Sequence, residues 1–171
     1  MGRTLILSAA RVHRTINRMA YEVIERNRGA ATLEIVGIRS RGTALAQVLA
    51  KQISEIEPRH FSVSRLDVSA YRDDRDPSIP LEDHSSVQVD VTDRDVILVD
   101  DVLFTGRTVR AALDAIVRYG RPRTIQLAVL VDRGHREYPI QPDYVGRVLP
   151  TKHRERVVVS VDEGFAIYIE E

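Results

Sequence analysis

The chain has 171 residues, and its 25 Lys and Arg are balanced by 25 Asp and Glu, giving zero formal net charge at pH 7. That length fits a single domain over 1–171 with a sizeable core, and zero net charge excludes bulk electrostatic capture of nucleic acid, so any such contact needs a local patch. The absence of Cys excludes disulfides and Cys-ligated zinc, the absence of Trp leaves few stacking platforms, and no apolar run approaches a membrane span.

The N-terminal residues turn polar too soon for a secretion signal, so a cytoplasmic location is expected. Ser8 is placed to cap a helix running to about Asn27, with Gly29 as its stop. Val12, Ile16, Met19, Ala20, Val23 and Ile24 share one face of that helix. Arg11, Arg14 and Arg18 form a basic stripe opposite, which is either a solvated face or a surface for RNA or another subunit. Leu33–Ile38 reads as a strand, Arg39-Ser40-Arg41-Gly42 as a turn and Thr43–Ile56 as a helix. Phe61–Val68 is strand-like. Tyr71–Asp83 is charged and Pro-containing and is expected to be a loop or hairpin tip. Val87–Val91 alternates like a half-exposed strand. A buried strand then leads into two acids, and a helix follows from about Arg107 to Tyr119, closed by Gly120. Ile125–Val131 is another buried strand. The stretch from Gln141 to Arg154 reads as an irregular basic surface loop, and Val157–Val161 and Ala166–Ile169 carry strand signals. Strands alternating with helices predict an α/β fold with a parallel sheet.

The chemistry concentrates between Val96 and Thr108. Val96, Ile97, Leu98 and Val99 run straight into Asp100 and Asp101. Val102, Leu103 and Phe104 lead to Thr105-Gly106-Arg107-Thr108, where a helix begins. Backbone N–H groups of such a turn, together with the positive end of the helix, attract phosphate. Gly106 lets the backbone close tightly on a ligand. The two acids can hold sugar hydroxyls or a hydrated Mg²⁺. The pattern reads as a site for a phosphorylated sugar that arrives with a metal. The competing readings are a capped strand end, a receiver domain and a Walker A loop. A receiver domain needs an early acid pair and a late sheet Lys, whereas only Lys51 and Lys152 exist here. A Walker A loop needs a Gly-Lys-Ser/Thr ending, which is absent.

Other segments fall at the same carboxyl edge of the expected sheet, where open α/β sheets bind ligands. Arg39, Ser40, Arg41 and Gly42 suit a highly charged anion. Tyr71 and Arg72 could belong to a lid that excludes water. Asp132 and Arg133, with Gly134 and His135, follow the last long apolar strand and can meet the ring of a base.

The Val96–Thr108 stretch resembles the phosphoribosyl-pyrophosphate (PRPP) motif of type I phosphoribosyltransferases. The resemblance implies a parallel sheet flanked by helices, with a small hood over its C-terminal edge. It implies ribose hydroxyls on Asp100 and Asp101, the 5′-phosphate in Val102–Thr108, pyrophosphate at Arg39–Gly42, and Mg²⁺ at the acid pair, directly or through water. Many purine-using members have an acid where this chain has Phe104, which cannot take a proton. Gly37–Gly42, Tyr71–Asp74, Val96–Thr108 and Gln126–Tyr138 together are similar to the branch of bifunctional pyrimidine operon attenuation regulators with uracil phosphoribosyltransferase activity. That likeness implies catalysis by Asp100, Asp101, Arg39, Tyr71 and Arg72, with uracil and PRPP giving UMP. It also implies binding of pyrimidine operon leader RNA through Arg14, Arg18, Arg26 and Lys152, in a homodimer or larger homo-oligomer. Asn17 and Tyr21 stand where relatives of this branch have Thr and His.

Overall fold

The computed structural model describes residues 2–80 and 82–171; Met1 and Leu81, the latter inside the expected 71–83 loop, lie outside the described residues. Its central feature is a parallel sheet in the order β3-β2-β4-β5-β6, made from β2 (Leu33–Ile38), β3 (Ser64–Leu66), β4 (Asp95–Leu103), β5 (Thr124–Asp132) and β6 (Tyr144–Val148). β1 (Arg3–Leu7), β7 (Arg156–Ser160) and β8 (Ala166–Glu170) form a separate antiparallel sheet in the order β1-β8-β7. Helices α1 (Ala9–Asn27), α2 (Arg39–Ile56) and α3 (Arg107–Ile116) complete the fold.

The continuous apolar run of β4 follows from helices covering both faces of the sheet. Ile97 and Val99 point into the cluster with Ile16 and Val23 of α1 and Leu45 and Leu49 of α2. Val96 and Leu98 point into the cluster with Val109, Ala112 and Ile116 of α3. All four are at most 1% exposed, and burying each such side chain contributes about 2 kcal/mol. The α1 face buries Val12, Ile16, Met19, Ala20 and Val23, the helical spacing read from the sequence. α1 stops where Arg28 turns left-handed and the Gly29 N–H reaches back to the Ile24 carbonyl. At the start of β4 the buried Asp95 accepts from Arg123, Thr32 and Thr124, which holds its carboxyl down at about 2.

Several expectations need correction. α2 begins at Arg39, so Arg39–Gly42 is the first turn of a helix and not a loop before it. β4 continues through both acids to Leu103. The 61–68 strand is confined to Ser64–Leu66. The 87–91 segment is no strand; beside it only Ser86 makes an isolated bridge to Arg65. Tyr144–Val148, read as part of a loop, is the edge strand β6, and the first residues form β1. Both depend on distant partners: Arg3 registers with Glu170, and Val145 with Val129.

Candidate active site

In order along the chain, the five parallel strands lie 2-1-3-4-5 across the sheet, so the order reverses between β2 and β4. Ligands of open α/β sheets bind outside such a reversal point, because the two flanking connections diverge to opposite faces and leave a crevice. Here α2 leaves from β2, and the Thr105–Thr108 turn and α3 leave from β4. β2 pairing ends at Gly37 opposite Val99, one residue before the acids, so the β2 side of Asp100 is open. The crevice is a cavity of about 330 Å³, lined by Arg39–Arg41 on one side and Asp100–Val102 with Thr108 on the other.

Local sequence explains the geometry. Arg39 takes a positive φ of 58°, which turns the chain from β2 directly into α2. Gly42 lets α2 lie against β4: a Cβ there would stand 2.5 Å from the Val99 carbonyl oxygen and 3.5 Å from Asp100 Oδ1. The N-cap residues of α2 and α3 make no side-chain cap, so the first-turn N–H groups at this edge are open to an anion, except the Arg107 N–H, which Thr105 engages. Gly106, at φ 90°, is the N-cap residue just before α3, and Thr105 Oγ1 accepts from the Arg107 N–H at 3.3 Å.

The acids differ in environment. Asp100 is 8% exposed and Asp101 half-buried. The Asp101 N–H donates to Asp100 Oδ1 at 2.9 Å, and the Val102 N–H donates to Asp101 Oδ1 at 2.9 Å. Burial first, and then the neighbouring Asp101, push Asp100 well above the usual carboxylate range; the Asp101 N–H and the Arg39 charge oppose this only in part. Among the described residues no cluster of three or more His, Cys, Asp or Glu could hold a metal. A site offering two carboxylates fits Mg²⁺, which keeps several waters and takes further oxygens from substrate phosphates.

The expected ligand residues do not all gather here. Arg39, Ser40, Arg41, Asp100, Asp101, Val102 and Thr108 line the cavity, while Thr105 to Arg107, which directly precede Thr108 in the chain, do not. Val96–Val99 are corrected from ligand contacts to core: they are buried in the sheet and line no part of the cavity, as is Leu103 at 2% exposure. Gly42 packs beneath the site. Phe104 points to a second cluster, with its ring 5.7 Å from His135 and 5.5 Å from His153. Arg133 lies over that ring at 4.1 Å, with Nε donating to Thr151 and Nη2 to the carbonyls of Lys152 and His153, so these two nitrogens are engaged within the protein. Asp132 is paired with Arg136 at 2.7 Å, and Arg136 also donates to the carbonyls of Phe104 and Ile140. Tyr71 and Arg72 are not brought to the acid pair: the Tyr71 hydroxyl accepts from Arg118 and Arg72 pairs with Asp74.

The expected RNA residues are also rearranged. Arg18 donates to Glu22 and to the carbonyls of Val145 and Gly146, Arg26 pairs with Asp143, and Lys152 pairs with Glu155 beyond β6. Arg14 instead joins Arg11 and Arg147 around a cleft of about 260 Å³, and none of these three forms an ion pair among the described residues. Reading 141–154 as one loop hid Arg147; the aromatic and β-branched residues Tyr144, Val145 and Val148 are the available strand signal.

A crevice at the reversal point of the sheet, with an acid pair facing two helix starts and two arginines, is an architecture of the phosphoribosyltransferase type. Residues 3–163 match the family model described as the phosphoribosyl transferase domain. The chain is 50% identical over 165 residues to Bifunctional protein PyrR of Oceanobacillus iheyensis, covering 94% of this chain and 92% of that one. It is 49% identical to Bifunctional protein PyrR of Bacillus subtilis over 94% of this chain and 91% of that one. The fold is similar to a hypoxanthine phosphoribosyltransferase structure from Trypanosoma cruzi, with TM-score 0.76 at 15% identity over 97% and 95% of the two chains. The chain therefore belongs to the phosphoribosyltransferase family, among the bifunctional PyrR proteins.

Proposed function

We propose that the protein transfers phosphoribose from PRPP to uracil, forming UMP and pyrophosphate, and that it binds pyrimidine operon leader RNA as an attenuation regulator responsive to uridine nucleotides. The observation that carries the enzymatic reading is Asp100 and Asp101 facing Arg39–Arg41 across the reversal-point cavity. Asp100 and Asp101 hold the ribose hydroxyls. The Thr105–Thr108 turn and the start of α3 hold the 5′-phosphate. Arg39, Arg41 and the start of α2 receive the pyrophosphate and stabilise its charge as the ribose carbon gains positive character. The bond from C1′ to the pyrophosphate oxygen breaks, the bond from uracil N1 to C1′ forms, and N1 loses its proton. Mg²⁺ held at the acid pair, directly or through water, would neutralise charge on the departing pyrophosphate. Tyr71 and Arg72 belong to a lid over this cavity, and closure excludes water from the cationic centre. Phe104 stands where many purine-using members have an acid and cannot take a proton, which favours uracil over purines.

The RNA reading rests on the unpaired Arg11, Arg14 and Arg147 beside α1. A homodimer or larger homo-oligomer would repeat that cleft. No helix among the described residues is long and apolar enough to cross a membrane. A second reading, an enzyme without RNA regulation, is favoured by the internal pairing of Arg18 and Arg26. Turnover of uracil with PRPP, with and without Mg²⁺, tests the enzymatic reading. UMP formation that requires Mg²⁺ and fails with hypoxanthine or guanine is expected. Comparable purine turnover would refute the base assignment.

A further inference from the structure

Three segments distant in sequence meet at one carboxylate. Asp73 Oδ2 accepts from Arg107 Nη1 at 2.5 Å and from the Tyr138 hydroxyl at 2.6 Å. Arg107 also donates through Nε to Glu137 Oε2 at 3.1 Å, and its guanidinium lies 5.0 Å from the Tyr138 ring centroid. Hydrogen bonding from Tyr138, followed by the Arg107 charge, holds Asp73 below the usual carboxylate range. The neighbours of Asp73 are engaged as well. The Tyr71 hydroxyl accepts from Arg118 Nη1 at 2.8 Å, and Arg72 makes a two-point pair with Asp74. The whole Tyr71–Asp74 run is thus held by the protein's own side chains, and none of it lines the cavity at the acid pair.

Arg107 is the joint between this run and the ligand site. It is the first residue of α3 and sits inside the turn read as the 5′-phosphate loop. A dianionic phosphate in that turn competes directly with Asp73 for the guanidinium. We propose that Asp73, Arg107 and Tyr138 form a latch that holds Tyr71–Asp74 away from the active cavity until a bound 5′-phosphate draws Arg107 off Asp73. Tyr138 is a positioning residue here: it touches the latch and not the substrate. The arrangement orders events, since the sugar phosphate docks before the lid is free to close over pyrophosphate. The inference rests on the phosphate-loop and lid readings given above.

Ribose 5-phosphate carries the 5′-phosphate without the pyrophosphate and is the probe. Arg72 is a tryptic site inside the latched run, so the rate of cleavage there reports release. Wild type and Tyr138→Phe are compared with and without saturating ribose 5-phosphate, with binding followed by calorimetry and folding by thermal melting. In wild type, cleavage at Arg72 should accelerate when ribose 5-phosphate binds. In Tyr138→Phe, which keeps the ring and loses only the hydroxyl, cleavage without ligand should already be about five-fold faster, the effect of the one modest hydrogen bond that Tyr138 gives Asp73; the second bond of the hydroxyl, accepted from Arg107 Nη1 at 3.2 Å, does not hold the run. KM for PRPP should fall in the variant with little change in kcat. Unchanged cleavage despite calorimetric binding overturns the latch and leaves the phosphate loop standing. Failure of ribose 5-phosphate to bind wild type overturns the phosphate loop and the latch together.

Discussion

Asp100, which the proposed function places on the ribose, carries a cost in stability. Its carboxyl is buried beside another carboxylate, and its pKa is raised from the ordinary 3.8. A raised folded pKa contributes stability that is fully present below the unfolded pKa and is lost as pH rises towards the folded one. Asp100→Asn should therefore melt close to wild type below about pH 4, where both side chains are neutral, and above it at neutral pH. Removing one buried, poorly compensated charge should be worth at least about 1 kcal/mol, or about 2–4 °C in a chain of this size. The same variant should lose PRPP binding. Melting curves across pH with PRPP calorimetry check both halves. A variant that melts lower than wild type at pH 7 and still binds PRPP would end the assignment of Asp100 to the ribose. Phe104 makes the opposite case: the sequence alone marks it as unable to take a proton, and the structure adds that Arg133 lies over its ring.

Among the elements, α2 decides whether the site exists. Its first turn supplies Arg39, Ser40 and Arg41, and it reaches β4 only because residue 42 has no side chain. In Gly42→Ala the new Cβ meets a backbone carbonyl that cannot swing aside. The helix start must move, at a cost of about 1–3 kcal/mol, and the Arg39–Arg41 side of the cavity moves with it. Calorimetric melting several degrees below wild type, with weakened PRPP binding, is the expected result. An unchanged melt with full affinity would mean that α2 does not need this close approach. Gly146 acts similarly between β6 and α1, since a Cβ there would press on the Leu130 carbonyl and Thr15. That closeness sets Arg147 beside Arg11 and Arg14.

For the whole molecule, zero net charge makes the Arg11, Arg14 and Arg147 cleft the test of RNA regulation. Each guanidinium that neutralises an RNA phosphate releases condensed counterions, so log affinity falls linearly with log salt. Arg14→Ala and Arg147→Ala should each lower that slope by about 0.7–0.9. Arg18→Ala should change the slope less, because its guanidinium already faces Glu22 and two carbonyls. Phosphoribosyl transfer should persist in all three. Filter binding of leader and scrambled RNA across a salt series measures this, and equal salt-insensitive binding of both RNAs would reduce the cleft to a solvated face.

Contiguous chemistry was legible in the residues themselves. A buried strand, two acids, a hydroxyl-bearing glycine turn and a helix start are consecutive, so Val96–Thr108 states its own order of elements, although β4 runs on through both acids to Leu103. The α1 stripe of Val12, Ile16, Met19 and Val23 is likewise set by helical spacing, and both were read without tertiary information. Tertiary structure alone decided what depends on partners far along the chain. β1 is a strand because β8 lies beside it, and β6 because β5 does. Arg18 turns inward because β6 carbonyls are near, while Arg147 meets α1. Tyr71 and Arg72 bear the right chemistry for a lid, yet Arg118, Asp74 and the Arg107–Tyr138 pair hold them elsewhere. Local pattern sets what a segment can form and which groups it carries; where those groups point is set by neighbours that packing and long-range pairing bring in.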